Sequence, residues 1–417
     1  MKLKYGTSAI TCNVPEKNLL AILEPKLDEP LKIEELLKSG ITAPIGAPRL
    51  VKLLRRNRPK DFVILVSDIS RSIANYQKIL RFLIGEIVDA GVDEKNIHFI
   101  IAIGTHRLHT LEENKRLYGR LLDEFEFTFH NCHNELVRIG KTSTNLLVEV
   151  NRRAKEADFV ILTGRVDFHY LAGFSGGRKS ILPGISSYNT IRANHSKLCR
   201  PGVAIAELKN NIIAQELAEA AELFKPDYLV NVVETPTRKT SRVFFGNPRF
   251  AFEQAVEYFC TQRKQTITQP ADAVLVSAGG YPYDKNFYNS HKSLNLAIRT
   301  LKPGGSIILI ARCQEGIGNE KFLKLMQENN IDQLLDYPED KIEVGGHRAF
   351  VTARILKEHK IYVLSELEPE IVKSIGFKPI IQLNDAIEEI KKESGNDYKL
   401  YIIPNGKTVL PVLNQRR

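Results

Sequence analysis

The stretch from Asp61 to Asp68 reads DFVILVSD, a short run that is apolar at almost every position and is enclosed by two aspartates. Similar runs recur along the chain, at NIHFIIAIG (96–104), ADFVILTG (157–164), ADAVLVSAGG (271–280) and GGSIILIAR (304–312). Near-continuous apolar strands are typical of a parallel sheet that is covered on both faces. Stretches with the pattern of amphipathic helices, such as 75–91 and 319–336, lie between them. Strands that alternate with helices predict an α/β fold with mainly parallel, Rossmann-like sheets.

A domain boundary is predicted at residues 261–270 (TQRKQTITQP). This stretch is polar, lacks hydrophobic periodicity and ends in a proline directly before a new apolar run. The length of 417 residues is enough for roughly two or three domains. We therefore expect one α/β domain over residues 1–262 and a second over residues 270–417.

Composition and charge narrow the possible function classes. No apolar run approaches the length of a membrane span, and the N-terminus has no apolar segment followed by a small-residue cleavage site, so we expect a cytoplasmic protein without a membrane partner. The five cysteines are never arranged as CxxC, which argues against a disulfide framework and a cysteine-based zinc site. The net charge of +10 arises from basic residues interspersed with acidic ones, without a basic stripe interleaved with aromatics. This pattern favours a small anionic substrate over nucleic acid.

Polar side chains follow four of the predicted strands. In open α/β sheets, ligands bind beyond the carboxyl ends of the strands. We therefore predict an active site at these strand ends, in a cleft between the two domains. The four segments are Asp68-Ile-Ser-Arg71, Gly104-Thr-His106-Arg107, Arg165-Val-Asp167-Phe-His169 and Gly279-Gly280-Tyr281-Pro-Tyr283-Asp284.

The densest segment, HYLAGFSGGRKSILPG, runs from His169 to Gly184. Its glycines allow backbone N–H groups to approach an anion closely, and Arg178 and Lys179 add positive charge. The run is close to a Walker A loop, but Arg178 stands in the place of the last glycine, and Pro183 with Gly184 interrupts the helix that a P-loop needs. The pattern favours a phosphate-bearing ligand of another kind and leaves a nucleotide-phosphate-using transferase as an alternative. A non-catalytic binder of an anionic metabolite is a further alternative.

The longer segment from His169 to His195 (HYLAGFSGGRKSILPGISSYNTIRANH) resembles the signature of the nickel-pincer lactate racemases and their 2-hydroxyacid racemase relatives. The likeness extends over almost the whole chain, from Tyr5-Gly6 to the final PNGKTVLP. Shorter matches occur in the family order, at Asp68-Ile-Ser-Arg71, Gly104-Thr-His106-Arg107, Gly279-Gly280-Tyr281-Pro282, Tyr288-Asn289 and Lys292.

The resemblance implies a nickel pincer nucleotide, the pyridinium-3-thioamide-5-thiocarboxylic acid mononucleotide, which holds nickel through S, C and S. Lys179 corresponds to the lysine that is joined to it through a thioamide. His195 corresponds to the remaining nickel ligand, and an imidazole suits square-planar Ni(II). Proteins that mature the cofactor are then expected partners. From chemistry alone, we predict that the loop residues near Lys179 hold the cofactor phosphate, namely Ser175, Gly176, Gly177 and Arg178.

The resemblance also implies the reaction, in which the C2 hydride of a 2-hydroxyacid moves to the cofactor and returns to the other face of the 2-keto acid. His106 and His169 correspond to the paired general bases, one for each substrate pose. Asp68 is expected to orient His106 or Arg71, and to lie at the cofactor. The substrate carboxylate is assigned to a cationic and polar group consisting of Arg71, Tyr288, Asn289 and Lys292.

One departure from the family pattern concerns substrate choice. The lactate racemases carry Gln where this chain has Asn289, and they have a late Trp near the cofactor, whereas this chain has no Trp. A shorter side chain leaves more room, so we predict lactate or a larger 2-hydroxyacid such as malate as the substrate. The nickel chemistry is expected to persist because His169, Lys179 and His195 are all present.

Overall fold

The computed structural model describes residues 1–26, 31–342 and 346–414. The chain folds as two units. We call Leu27–Thr261 the central unit, and Met1–Lys26 together with Gln262–Arg417 the terminal unit. In the part of the chain that the structure covers, no helix is both long enough and apolar enough to cross a membrane.

The strands and helices of both units are numbered in chain order. The strands are β1 (Lys2–Tyr5), β2 (Ser8–Thr11), β3 (Leu19–Ile22), β4 (Phe62–Ser67), β5 (Ile97–Ala102), β6 (Glu126–Phe129), β7 (Leu136–Lys141), β8 (Leu147–Asn151), β9 (Phe159–Val166), β10 (Phe168–His169), β11 (Gly173–Phe174), β12 (Tyr228–Glu234), β13 (Thr240–Gly246), β14 (Lys264–Ile267), β15 (Ala271–Ser277), β16 (Leu301–Ile310), β17 (Lys360–Leu364), β18 (Lys378–Ile380), β19 (Leu400–Ile403) and β20 (Leu410–Leu413). The α-helices are α1 (Ile33–Thr42), α2 (Leu50–Asn57), α3 (Tyr76–Asp89), α4 (Leu111–Tyr118), α5 (Leu121–Glu124), α6 (Arg152–Glu156), α7 (Tyr188–His195), α8 (Ile212–Phe224), α9 (Pro248–Arg263), α10 (Phe287–Ser290), α11 (Leu294–Ala297), α12 (Glu320–Glu328), α13 (Ile331–Leu335), α14 (Arg348–Glu358), α15 (Pro369–Ser374) and α16 (Leu383–Ser394).

The central unit is built on a six-stranded sheet with the order β13-β12-β9-β4-β5-β6. All neighbours are parallel except β13, which runs antiparallel to β12. Every side chain of β4 is buried, as expected for a strand with both faces covered. Phe62, Ile64 and Val66 point to one face and pack in a core shared with α1 to α4. The carboxyl ends of β4, β5 and β9 therefore meet at one edge of the sheet.

The opposite face of the central sheet carries the short 3-10 helix Gly177–Ser180, which packs on β9. Gly177 lies so close to the sheet that an added Cβ would overlap Leu229 Cδ1 and would fall 3.3 Å from Leu162 Cβ. Ser180 Oγ donates to the Thr163 carbonyl oxygen at 2.9 Å. The absence of a side chain at Gly177 therefore allows the segment Gly177–Ser180 to pack directly on the sheet.

The terminal unit contains a second six-stranded sheet with the order β18-β17-β16-β15-β19-β3. All five pairings are parallel. Two parallel-dominated sheets with covering helices confirm the predicted α/β fold class. The apolar run at 304–312 lies largely within β16, and the amphipathic stretch 319–336 forms two helices, since a capping box at Asn330 begins α13.

One boundary differs from the sequence prediction of a domain over residues 1–262, whereas the division between Thr261 and Gln262 lies at the predicted boundary. Residues 1–26 belong with the C-terminal part of the chain, because β3 pairs with β19 and Gly6 N donates to Asp284 Oδ2 at 2.6 Å. Regular elements also occupy the stretch 261–270, since α9 continues to Arg263 and β14 pairs with β20. The placement of residues 1–26 depends on strand partners that are distant in sequence, which local polarity does not reveal.

Replacing Gly177 with Ala is expected to destabilise the protein by about 1–3 kcal/mol, because the new methyl group overlaps Leu229. The matched control is Gly85→Ala in α3, where an added Cβ meets nothing within 4 Å. That control should leave stability unchanged or raise it by about 0.5–1 kcal/mol. Urea unfolding followed by circular dichroism compares the two, and equal midpoints would contradict the packing role of Gly177.

Candidate active site

Asp68 and His106 form a close pair at the carboxyl edge of the central sheet. Asp68 directly follows β4, and the backbone of Ser67 is fixed on both sides, accepting from Tyr118 Oη at 2.8 Å and donating to Tyr76 Oη at 2.9 Å. His106 follows the neighbouring strand β5, and its Nδ1 lies 2.5 Å from Asp68 Oδ2. The aspartate side chain is 3% exposed and the imidazole 52% exposed. Because a carboxylate only accepts, Nδ1 of His106 carries a hydrogen, so the neutral form of the ring has its lone pair at Nε2.

The charge on Asp68 is stabilised by its neighbours. Burial raises the pKa of Asp68, but the hydrogen bond from His106 and the positive charge of Arg71 outweigh it, so the pKa is lowered overall. Ser70 Oγ also lies within donating distance of both carboxylate oxygens, at 2.8 and 2.9 Å. Asp68 is therefore an ionised carboxylate at neutral pH. Of the two residues that the sequence analysis proposed for Asp68 to orient, His106 is the one that it contacts directly.

His109 also supports this turn, although no role was predicted for it. Its Nε2 accepts from the backbone N–H of Ile69 at 3.0 Å. Its Nδ1 lies 2.8 Å from Asn114 Oδ1, so Nδ1 carries the hydrogen. The ring therefore connects α4 to the turn that presents Asp68. The sequence signal for this contact is the capping box at Thr110, because it begins α4 and so places Asn114 one turn into that helix.

Arg71 is a half-buried cation beside Asp68. Burial lowers its pKa, and the nearby charge of Arg165 lowers it further. Within the described ranges, its guanidinium makes no hydrogen bond and has no carboxylate within ion-pair distance. Arg165 is instead engaged by Glu234, whose Oε2 lies 3.2 Å from Arg165 Nη1. The guanidinium N–H groups of Arg71 can therefore donate to an anion.

Lys179 is buried in the 3-10 helix Gly177–Ser180, with 5% of the residue exposed. Burial lowers its pKa well below 10.5, and the positive charges of Arg71 and Arg178 act in the same direction. The negative charge of Asp68 acts on the pKa of this amine in the opposite direction. The lowered pKa favours the neutral amine, which is the nucleophilic form that covalent attachment of a ligand requires.

The loops that carry these residues are joined by backbone contacts. Gly104 N, in the loop after β5, donates to the Gly184 carbonyl oxygen at 2.9 Å. Ser175 N donates to the Asp167 carbonyl oxygen at 2.8 Å. The segments after β5 and β9 therefore both contact the glycine-rich segment, and the sequence-predicted convergence of strand ends is present in the central unit.

Most of the residues predicted to hold a phosphate have contacts within the fold. Ser175 Oγ donates to the Arg165 carbonyl oxygen at 2.7 Å, and Gly177 N donates to Asn231 Oδ1 at 2.8 Å. Gly176 lies against Phe252, where an added Cβ would fall 2.7 Å from Cε2. The Arg178 guanidinium lies 4.3 Å from the centre of the same ring, and burial lowers its pKa to about 10. Nε and Nη2 of Arg178 are buried without a hydrogen-bond partner among the described residues. Phosphate binding by these four residues stays a prediction.

His169 has the opposite hydrogen-bond polarity to His106. It ends β10, and its Nδ1 accepts from the backbone N–H groups of Leu171 at 3.3 Å and Ala172 at 3.1 Å. Since Nδ1 is an acceptor, the neutral ring carries its hydrogen on Nε2. The sequence prediction treated the two histidines as equivalent bases, whereas the structure presents a lone pair at His106 Nε2 and an N–H at His169 Nε2.

His195 is the last residue of α7, where the sequence predicted it on or at the end of a helix. Its Nδ1 lies 3.1 Å from Asn194 Oδ1. In the described ranges, no three or more side chains of His, Cys, Asp or Glu are grouped as a metal site.

Tyr288, Asn289 and Lys292 lie together in the terminal unit, on α10 and the 3-10 helix His291–Ser293. Tyr288 is half-buried, the Arg348 guanidinium lies 3.6 Å from its ring centre, and burial raises its pKa. Asn289 is half-buried and Lys292 is exposed. Arg348 was missed because α14 approaches α10 only in the folded unit. The assignment of these residues to a substrate stays a prediction.

Comparisons with known proteins agree over the full chain. A family model for the lactate racemase N-terminal domain matches residues 5–206, and one for the C-terminal domain matches residues 266–411. The lactate racemase of Thermoanaerobacterium thermosaccharolyticum is 31% identical and that of Lactiplantibacillus plantarum 30% identical, each alignment covering 98% of both proteins.

Solved structures give the same result for the fold. The lactate racemase apoprotein of Thermoanaerobacterium thermosaccharolyticum matches with a TM-score of 0.90 at 31% identity, over 99% of each chain. A Thermotoga maritima protein at 20% identity shares the fold, with a TM-score of 0.66 over 93% of this chain and 99% of that one. Since both family models and two full-length relatives agree, the chain belongs to the lactate racemase family of isomerases.

Proposed function

We propose that this chain is a nickel-dependent racemase of lactate or a related 2-hydroxyacid, with a nickel pincer nucleotide joined to Lys179. The observation that carries the proposal is the buried Lys179 amine, whose pKa burial lowers strongly, beside Arg71 and the Asp68–His106 pair. The two full-length relatives are named lactate racemases, which supports the substrate class.

The residues of the central unit fit such a cofactor chemically. Burial favours the neutral form of the Lys179 amine, which can be acylated, whereas a surface lysine is protonated at neutral pH. His195 offers an imidazole, a ligand type that nickel accepts. When bound, the cofactor supplies an acceptor and donor for the hydride at C2 of the substrate.

His106 is assigned to the hydroxyl proton of the substrate. Its Nε2 lone pair accepts that proton, and the ionised Asp68 stabilises the imidazolium that forms. Arg71 is assigned to the substrate carboxylate, because guanidinium binds carboxylate in a two-pronged geometry and this one has no carboxylate partner among the described residues.

His169 is assigned to the opposite substrate pose. To accept a proton at Nε2, its ring must adopt the other tautomer, and Nδ1 must then release the backbone N–H groups of Leu171 and Ala172. The second pose therefore requires a local shift of the turn at 170–172, whereas the pose served by His106 requires none.

Lys179 is expected to carry the covalent adduct. Protein produced in a host that makes the cofactor should show a mass increase on the peptide that contains Lys179, together with bound nickel. Lys179→Ala should abolish the adduct, whereas the exposed control Lys141→Ala should retain it. Intact-protein and peptide mass spectrometry measure both. A wild-type protein without adduct or nickel under these conditions would sink the proposal.

Asp68→Asn is expected to lower the racemisation rate by roughly 10²–10⁴-fold, because the imidazolium of His106 loses its counter-charge. Asp93→Asn is the matched control, since Asp93 also precedes a 3-10 helix, Glu94–Asn96, but lies before β5 rather than after a strand. Steady-state rates on protein with equal adduct content compare the variants. Equal rates in Asp68→Asn and wild type would remove the pair from the reaction.

A chiral assay distinguishes the substrates and the reaction classes. Adduct-bearing protein is expected to equilibrate the enantiomers of lactate, of malate, or of both, and malate turnover would support a larger site at Asn289. The panel includes 2-hydroxyglutarate and an aromatic hydroxyacid. Binding without interconversion of any member would favour a non-catalytic binder, and ATP–Mg²⁺ binding that is lost in Lys179→Ala would favour the transferase.

A further inference from the structure

Two polar side chains next to His195 are completely buried and have no part in the mechanism above. Asn194 precedes His195 in α7, and Glu216 lies in the middle of α8; both are 0% exposed. Asn194 Nδ2 donates to Glu216 Oε2 at 2.7 Å, and Asn194 Oδ1 lies 3.1 Å from His195 Nδ1. The three side chains form a continuous chain of hydrogen bonds that ends on the imidazole.

Glu216 determines which atom donates and which accepts in the hydrogen bonds that connect it through Asn194 to His195. Its other oxygen, Oε1, accepts from the ammonium of Lys197 and the hydroxyl of Thr144. A carboxylate paired with a lysine has no hydrogen to donate, so the amide nitrogen of Asn194 must face it. The amide oxygen of Asn194 must then face His195.

We infer that Glu216 and Asn194 are positioning residues that fix the tautomer of His195. An amide oxygen only accepts, so His195 Nδ1 must carry the hydrogen and the lone pair of the neutral ring must lie at Nε2. A histidine that binds a metal through one nitrogen commonly donates from the other to an acceptor that orients it. This inference rests on the proposed function, in which His195 is the nickel ligand of the chain.

The same contacts also hold α7 to α8. Loss of nickel in a variant would therefore not show whether Glu216 and Asn194 orient His195 or only stabilise the fold. The tautomer of His195 does separate them, because a merely structural role places no demand on which ring nitrogen is protonated. It is also measurable in the apoprotein, before any cofactor is attached.

Glu216→Gln is the decisive variant because it keeps the shape of the side chain and reverses the bond direction. The ammonium of Lys197 cannot accept, so the oxygen of the new amide should stay at the Oε1 position and its NH₂ should face Asn194. Asn194 then turns its own NH₂ toward His195. The imidazole should respond by moving its hydrogen from Nδ1 to Nε2.

The measurement is ¹⁵N NMR of ring-labelled histidine in the apoprotein, well above the ordinary histidine pKa so that the ring is neutral. The His195 signals are assigned by their loss in His195→Gln. Wild type and Glu219→Gln should show the Nδ1–H tautomer, and Glu216→Gln the Nε2–H tautomer. Glu219 is the matched control because it lies one turn further along α8 and accepts from Ser143 instead.

An Nε2–H tautomer in the wild type, or an unchanged tautomer in folded Glu216→Gln, would overturn the inference. Should circular dichroism show that Glu216→Gln is unfolded, Asn194→Ala replaces it, and a single unchanged tautomer there would overturn it equally. After maturation, Glu216→Gln should hold nickel about 10–100-fold more weakly while keeping the adduct on Lys179. Wild type without nickel would defeat the proposed function and leave the tautomer result standing, so the two failures are distinguishable.

Discussion

Burial of the Lys179 amine is the constraint on which the rest of the central unit depends. An ammonium at this depth would lie beside Arg71 and Arg178 without a carboxylate to match them all, so the charged form is strongly disfavoured. The fold achieves the burial by pressing the segment Gly177–Ser180 onto the sheet. Gly177 permits this close approach because Leu229 leaves no room for a Cβ. The close packing at Gly177 thus contributes to the burial that lowers the pKa of Lys179 in the same segment.

The histidines of the central unit show how neighbouring groups assign protons. Asp68 accepts from His106 Nδ1, and Asn194 accepts from His195 Nδ1, so both rings present a lone pair at Nε2. Backbone N–H groups donate to His169 Nδ1, which gives the opposite arrangement. The carboxylate of Asp68 and the amide oxygen of Asn194 can only accept a hydrogen bond, and a peptide N–H can only donate one. In each of the three histidines, contacts outside the ring therefore specify which ring nitrogen carries the hydrogen.

The sequence predicted the layers of the fold well because strands buried on both faces have a distinctive composition. It also predicted that Asp68 and His106 lie close together, since side chains that follow neighbouring parallel strands meet at one edge of the sheet. It failed where a contact joins distant segments. The pairing of β3 with β19 and the buried Glu216 leave no local signal, because each is explained only by a partner that folding brings close. The comparisons support the family, whereas the roles of individual residues are tested by the variants proposed above.

The geometry of the glycine-rich segment also weighs against phosphoryl transfer. A P-loop needs a protonated lysine and open backbone N–H groups that point at the phosphates. Here burial disfavours the ammonium of Lys179, and the N–H of Gly177 is taken by Asn231. Passive binding of an anion explains Arg71 but gives no reason for a buried, ionised Asp68 directed at His106, since that pair orients the imidazole and adds no contact to the anion. The proposed racemase accounts for both features, because in it His106 acts as a base and the neutral form of Lys179 attaches the cofactor.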